Sequence, residues 1–376
     1  AGISSFNVVL KEDTQVLNEV VVTAMGITRE AKTLTYAAQT IKNDEVTRIK
    51  ETNFINSLQG KSAGLTITPN NAGAGGGASK IVLRGSTSIL GTNQPLIVID
   101  GVPMQDGMGS QVTDGIAYGG GRSGDDLLST INPEDIENMT ILKGPNAAAL
   151  YGSAAANGVI MITTKKGKEG NISINVSSSA TFDSPLLTPK IQNVYGADVN
   201  LAANTLKVDS WGKKLSAMTP EELAYEGAHL RNSAGDDVSD FFRTGVNLNN
   251  SVSISGGSEK IRTYFSYANA HSTGMIDRNT YNRNSFSFRQ SYALFNKKLN
   301  VDLSMNYVQT VTKNRPGGGT TLNPLYDLYM MPRNIDLQYY KNNYKIDDGK
   351  WTSQRQGHYS SVGGEWIPDG TVELSG

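Results

Sequence analysis

Two hydrophobic patterns divide this chain. Through residues 81–164 the apolar residues come in short continuous runs. Leu96, Ile97, Val98 and Ile99 lie between Pro95 and an Asp100-Gly101 pair, and a second run, from Gly158 to Thr164, is entered through Asn157-Gly158. Runs of this length bounded by turn residues predict strands buried on both faces. Between them, Asn132 precedes Pro133, Glu134 and Asp135, a capping residue followed by proline and acids, which predicts a short helix. Upstream the sequence predicts a strand over 36–41, a helix start at Asn43-Asp44-Glu45-Val46, and a helical turn carrying Phe54, Ile55 and Leu58 ahead of Gly60. A short strand at Leu65–Thr68 follows and is ended by Pro69-Asn70-Asn71. The sum is a small mixed α/β domain.

After Lys168 the period becomes two. Ile172, Ile174 and Val176 interleave with Ser173, Asn175 and Ser177, and the pattern recurs at 246–255 and 285–294. Its cleanest copy sets Leu299, Val301, Leu303, Met305 and Tyr307 against Asn300, Asp302, Ser304 and Asn306, and residues 261–269 are a weaker copy. These segments suit tilted strands crossing a bilayer. A soluble sandwich carries the same alternation with its apolar face turned inward. Connection lengths favour the membrane reading: tight turns at 256–259 and 295–298 alternate with long excursions at 183–243 and beyond 312. Within the first excursion, Thr219-Pro220-Glu221-Glu222 is a capping box opening a helix. About five such strands cannot close a barrel, and open edges in lipid leave backbone groups unpaired. The expectation is a portion of a larger barrel.

Composition narrows the chemistry. A net charge of -1 over 376 residues gives no field that would steer the chain to nucleic acid. The absence of cysteine removes thiolate metal sites, disulfides and cysteine nucleophiles. Forty glycines and a mean hydropathy of -0.33 describe a turn-rich polar protein, and no run approaches the ~18 apolar residues of a spanning helix. Residues 1–10 lack the basic start and apolar core of a signal peptide, so the chain reads as processed or truncated.

The candidate sites mostly read as decoys. Gly73, Gly75 and Ala78 match a G-x-G-x-x-A spacing, yet a dinucleotide fingerprint must open a helix, and residues 79–84 alternate like a strand. The tract reads as a flexible surface loop. Asp106, Asp114, Asp125 and Asp126 lack calcium-loop spacing and have no neighbouring histidine. His229, His271 and His358 are far apart, and neither a G-x-S-x-G elbow nor a P-loop occurs. No catalytic residue, metal or cofactor is expected.

Four strings also carry a family resemblance: Leu83-Arg84-Gly85-Ser86, the segment from Pro95 to Pro103, the segment from Ile131 to Glu137, and Tyr151-Gly152-Ser153-Ala154 with residues 157–164. In order, over residues 20–168, they resemble the plug domain of TonB-dependent outer-membrane transporters of the SusC/RagA-like branch. The fold implied is a membrane β-barrel, antiparallel and incomplete in this chain, with an N-terminal α/β plug domain. The implied domains are the end of a β-sandwich at 1–13, the TonB box and linker at 14–34, the plug at 35–168, and at 169–376 the first strands and outer loops of a twenty-two-stranded barrel. By themselves three consecutive valines describe an ordinary edge strand. Ahead of a plug, Glu19, Val20, Val21, Val22, Thr23 and Ala24 resemble the TonB box, which binds TonB by strand addition. Arg84 is implied to lie between plug and barrel, and the loop with Asp106, Asp114, Asp125 and Asp126 to face the ligand from below.

The function implied is TonB-dependent import of oligosaccharide or oligopeptide across the outer membrane of a Gram-negative bacterium, with a SusD-like surface lipoprotein as lid and the lipid bilayer around the barrel. The alternative is a siderophore or metal-chelate receptor without a lid. A secreted polysaccharide-active enzyme is a third reading, opposed by the missing acid-base pair.

Overall fold

A computed structural model describes residues 20–22, 28–30, 38–47, 53–68, 73–75, 77, 79–86, 88, 93–104, 128–143, 149, 151–207, 209–225, 228–235, 237–317, 323–343, 345–347, 352–360 and 365–374. It opens with a short antiparallel pair, β1 (Val20–Val22) and β2 (Thr28–Glu30).

The α/β unit follows as β3 (Ala38–Lys42), β4 (Leu65–Thr68), β5 (Lys80–Leu83), β6 (Leu96–Ile99), β7 (Val102–Met104), β8 (Ile136–Leu142) and β9 (Val159–Thr164). Its sheet runs β3-β8-β9-β6-β7, parallel only between β6 and β9, and β4 and β5 form a separate hairpin. The continuous apolar runs now have a cause. Ile97, Ile160 and Ile162 enter one buried cluster with Phe54, Ile55 and Leu58, while Val98, Val159 and Met161 enter another with Leu142 and Ala155. Both faces of β6 and β9 are covered, so alternation is lost. Helix α1 (Asn43–Thr47) starts where expected, and its Asn43 side chain donates to the Ile136 carbonyl at 2.6 Å. The turns at Phe54–Leu58 and Pro133–Asp135 are 3-10 helices, the latter capped by Asn132, which accepts the Glu134 amide at 3.2 Å. Both are closed by i→i+3 bonds, from the Gln59 amide to the Asn56 carbonyl in the first and from the Asp135 amide to the Asn132 carbonyl in the second, as is common in short helical connectors.

Beyond Lys168 the chain forms β10 (Gly170–Asp183), an excursion over 184–244 holding β11 (Val199–Asn200) and β12 (Thr205–Lys207), and then β13 (Gly245–Gly257), β14 (Ile261–Thr273), β15 (Thr280–Leu294) and β16 (Leu299–Lys313). Strands β10-β13-β14-β15-β16 make one antiparallel sheet, open at β10 and β16. Its register decides between lipid and sandwich. Val176, Val252, Tyr267, Phe286 and Tyr307 lie in one cross-strand row, and Val176 and Tyr307 are 76% and 61% exposed. The serine-rich face is the covered one: Ser266 and Ser285 are 2% and 4% exposed, against the plug. An apolar face outward and a polar face inward is the lipid-facing arrangement.

On the outward face the apolar residues of β14 and β15 end at Tyr267 and Phe286, whereas they reach Val311 on β16, Val246 on β13 and Phe182 on β10. Where the band stops on β14 and β15, Asn269 donates to Asn282 and Asn284, and Tyr267 donates to Asn284, marking a polar rim.

All long connections leave one end of the sheet. There β12 pairs with β19 (Glu365–Leu374), which pairs with β18 (Thr352–Ser360), and that with β17 (Lys345–Asp347). The 184–244 excursion joins residues 323–343 through a shared cluster of Leu206, Tyr225, Leu230 and Ile335. The capping box is complete: Thr219 accepts the Glu222 amide, and Glu222 accepts the Thr219 amide at 2.7 Å. That amide, aided by Lys213, holds the Glu222 carboxyl below its ordinary pKa. Fully buried Asn334 links the two segments, accepting from the Ala197 amide and donating to the Ala197 carbonyl, both at 3.0 Å. Asn334→Ala therefore orphans two buried backbone groups and is expected to cost this outer module roughly 2–4 kcal/mol. Hydrogen exchange should show protection lost over 192–199 and 328–336 with the plug unchanged; equal protection in the variant would refute this linkage.

Candidate functional site

The plug meets the inward face of β13 to β15, and the contact is polar and built from sequence-local devices. The Asp100-Gly101 turn has φ of 48° and 87° at its two residues, the left-handed pair that a tight hairpin demands and that Asp-Gly supplies at low cost. The turn presents the Asp100 carboxylate to β9. One oxygen accepts the Thr164 amide at 3.0 Å, and the other accepts the Thr164 hydroxyl at 2.6 Å and Arg289 Nη1 at 3.0 Å. The same Nη1 donates to Thr164 Oγ1 at 2.7 Å. Arg289 comes from β15 of the barrel wall, and its side chain is 9% exposed.

A second rivet lies at the 3-10 turn. Asp135, 5% exposed, accepts from Tyr264 Oη on β14 at 2.8 Å and from Ser287 Oγ on β15 at 3.0 Å. The Asp135 carbonyl also accepts the Lys165 amide, which ties this turn to the strand that leads out of the plug. A third contact uses the glycine tract. The Ala74 amide donates to Asn279 Oδ1, whose Nδ2 is held by the carbonyls of Lys313 and Asn314. Gly75 has a φ of +81°, and an added Cβ would lie 2.3 Å from the ring of Tyr281, itself 1% exposed. Small inward residues such as Ser251, Ser253, Ala268 and Ala270 let the plug come this close.

Several expectations change here. The glycine tract was expected to be a flexible surface loop, but Gly73, Ala74 and Gly75 are clamped under the barrel wall, because only glycine fits against Tyr281. Arg84 was expected between plug and barrel. Beside the part of the wall present here it is exposed, with φ of 60°, so its contact with the barrel stays a proposal; burial first, and then Arg84, lower the Lys143 pKa. Among the described residues, the arginines that join the two bodies come from the barrel: Arg289, and Arg283, whose Nη1 approaches the Ile131 carbonyl at 3.4 Å. Of the residues expected to form the TonB box, Val20, Val21 and Val22 form β1, while Glu19, Thr23 and Ala24 lie outside the described residues, as do Asp106, Asp114, Asp125 and Asp126.

Asp100, Asp135, Tyr264, Ser287 and Arg289 were missed as a group. One signal was present: Arg283 and Arg289 stand among Ser285, Ser287 and Ser291 on one face of a strand, and an enclosed guanidinium needs an acid. Among the described residues no cluster of three or more His, Cys, Asp or Glu side chains could hold a metal, and no helix is long and apolar enough to cross a membrane.

Known proteins share this construction. Residues 30–159 match the family described as TonB-dependent Receptor Plug Domain. The TonB-dependent receptor SusC of Bacteroides thetaiotaomicron is 34% identical over 336 residues, which is 87% of this chain and 30% of that receptor. The Escherichia coli ferrienterobactin receptor is 35% identical over 129 residues, 34% of this chain and 16% of its own. Among solved structures, the RagAB peptide importer in its closed-closed state covers 75% of this chain and 31% of its own with a TM-score of 0.58 at 20% identity, a likeness of fold. The chain thus spans under a third of the length of these proteins. With the plug seated against the inner face of an apolar-outward sheet and the SusC match running through both, the chain belongs to the SusC/RagA-like family of TonB-dependent receptors and carries the plug and part of the β-barrel.

Proposed function

We propose that the whole receptor imports oligomeric nutrients, glycan or peptide, across the outer membrane of a Gram-negative bacterium. In this reading residues 35–168 are the gate, 169–376 begin the barrel and outer loops, and 14–34 are the coupling segment. A SusD-like lipoprotein closes the outer side as a lid, and TonB supplies energy from below. The observation that carries the reading is the polar, riveted seating of a small gate against a wall whose other face is lipid-adapted. A polar interface resealed by hydrogen bonds opens and closes without exposing apolar core. The match to SusC through both plug and barrel favours oligomer import over siderophore uptake, since the ferrienterobactin receptor matches over 129 residues only.

Glu19, Val20, Val21, Val22, Thr23 and Ala24 are proposed as the TonB-binding strand. Among the described residues β1 pairs with β2 alone, and its other edge is the one proposed for strand addition. Asp106, Asp114, Asp125 and Asp126 are proposed to face the ligand from the plug. Deleting residues 19–24 from the full-length receptor should leave ligand binding intact and abolish uptake, and Val21→Pro, which removes a ladder donor, should do the same. Uptake that survives either change would refute the coupling role, and purification in mild detergent without any lipoprotein partner would refute the lid.

A further inference from the structure

The end of the sheet opposite the long loops carries a built groove. Two short turns bound it, after β13 and after β15, and they are tied to each other: the Ala293 amide donates to the Lys260 carbonyl at 2.8 Å, and Lys297 pairs with Glu259 at 2.6 Å. The groove encloses about 510 Å³. Its floor is Ile261, Tyr292 and Leu294, outward residues that continue the lipid-facing band, and its edge is Lys260 and Lys297. Phe295, Asn296 and Lys297 hold φ of 50°, 54° and 67°, three successive left-handed residues without a glycine. Such a run is costly for L-residues and persists where the surroundings or a function sustain it. Here it lifts Phe295 to 75% exposure beside the groove and turns Lys297 towards Glu259.

We infer that this groove binds an anionic phospholipid of the membrane leaflet on the plug-exit side. The inference rests on the reading of β10 and β13 to β16 as membrane strands. Glu259 is paired with Lys297, the Glu169 charge near Lys297 is offset by Arg262, and Lys260 has no ion-pair partner among the described residues, so the edge keeps a net positive charge. The phosphate lies against Lys260 and Lys297, the acyl chains run along Ile261, Tyr292 and Leu294, and Phe295 inserts at the headgroup boundary, where aromatic and lysine side chains anchor membrane proteins. A zwitterionic headgroup brings its own ammonium towards Lys260, which sets the preference for net negative lipid.

The test is native mass spectrometry of the full-length receptor in mild detergent, titrated separately with phosphatidylglycerol, phosphatidylethanolamine and inorganic phosphate. Phosphatidylglycerol should be retained at least about five-fold more tightly than phosphatidylethanolamine, and free phosphate should not be retained. Lys260→Ala with Lys297→Ala should weaken phosphatidylglycerol by about 5- to 25-fold, since each lysine near an anionic surface contributes roughly a factor of five. Equal retention of both lipids, retention of free phosphate, or phosphatidylglycerol binding unchanged in the variant would each overturn the inference. Lys260→Gln, which leaves the Glu259–Lys297 pair in place, keeps the test decisive if the double variant does not fold. Uptake measured on the same proteins separates the two readings: import without lipid preference sinks this site alone, and lipid preference without import sinks the import reading alone.

Discussion

Arg289→Ala in the full-length receptor is expected to unseat the plug and let large antibiotics leak through the outer membrane without any transport substrate. The side chains of Arg289 and Asp100 are 9% and 18% exposed, and the guanidinium is shared between the Asp100 carboxylate and the Thr164 hydroxyl. Removing one member of an enclosed ion pair strands the other, a cost of about 3–5 kcal/mol. That cost falls on the seated state alone, because a plug pulled away from the wall exposes Asp100 to water. The expected readouts are sensitivity to a bulky antibiotic and faster proteolysis of the plug in the purified receptor. A control separates the charge from the rest of the site: Asp100→Asn with Arg289→Gln removes both charges while keeping a residue that tolerates the left-handed turn and still accepts the Thr164 amide, and it should restore much of the seal. An Arg289→Ala receptor as tight and as protease-resistant as the parent would show that this rivet does not seat the plug.

The rivets show where sequence reading stops. The plug strands were legible because they are buried on both faces by their own domain: Leu96–Ile99 and Val159–Thr164 stand out as runs whatever the barrel does. The wall strands were legible as alternation, and Ile172 to Val176 and Leu299 to Tyr307 fell where expected. What alternation does not carry is which face meets water, lipid or protein, and that came from the register and from the burial of Ser266 and Ser285. The contacts between the bodies were illegible for a plainer reason. Asp100 pairs with a residue 189 positions away and Asp135 with one 152 away, and each acid already has a sufficient local explanation, one as a turn residue and the other as a first-turn acid. A local role hides a distant one.

Joining β3 to β8 by a disulfide should stop uptake while sparing ligand binding. Among the described residues β3 is an edge strand of the plug sheet, paired with β8 alone, and it is the first strand of that sheet that tension applied at Val20–Val22 would reach. Its neighbour β8 begins next to Asp135, which is fixed to Tyr264 and Ser287 of the wall. Among the described residues the sheet thus has one edge strand to peel and a remainder held by rivets, so under the proposed coupling a pull from below removes the first before the second yields. Thr40 and Thr140 sit directly opposite each other with their hydroxyl oxygens 3.5 Å apart, close enough for Thr40→Cys and Thr140→Cys to bridge without moving the backbone. The chain has no cysteine of its own to compete. Oxidised, the double variant is expected to bind ligand normally and to lose uptake by at least about ten-fold, the size of a ~1.4 kcal/mol barrier and a small part of what a covalent bond adds. Reduction should restore uptake, and either single variant should behave as the parent. Uptake that persists in the fully oxidised protein would mean that β3 stays in place during transport, and that the gate moves as one body against Arg289 and Tyr264.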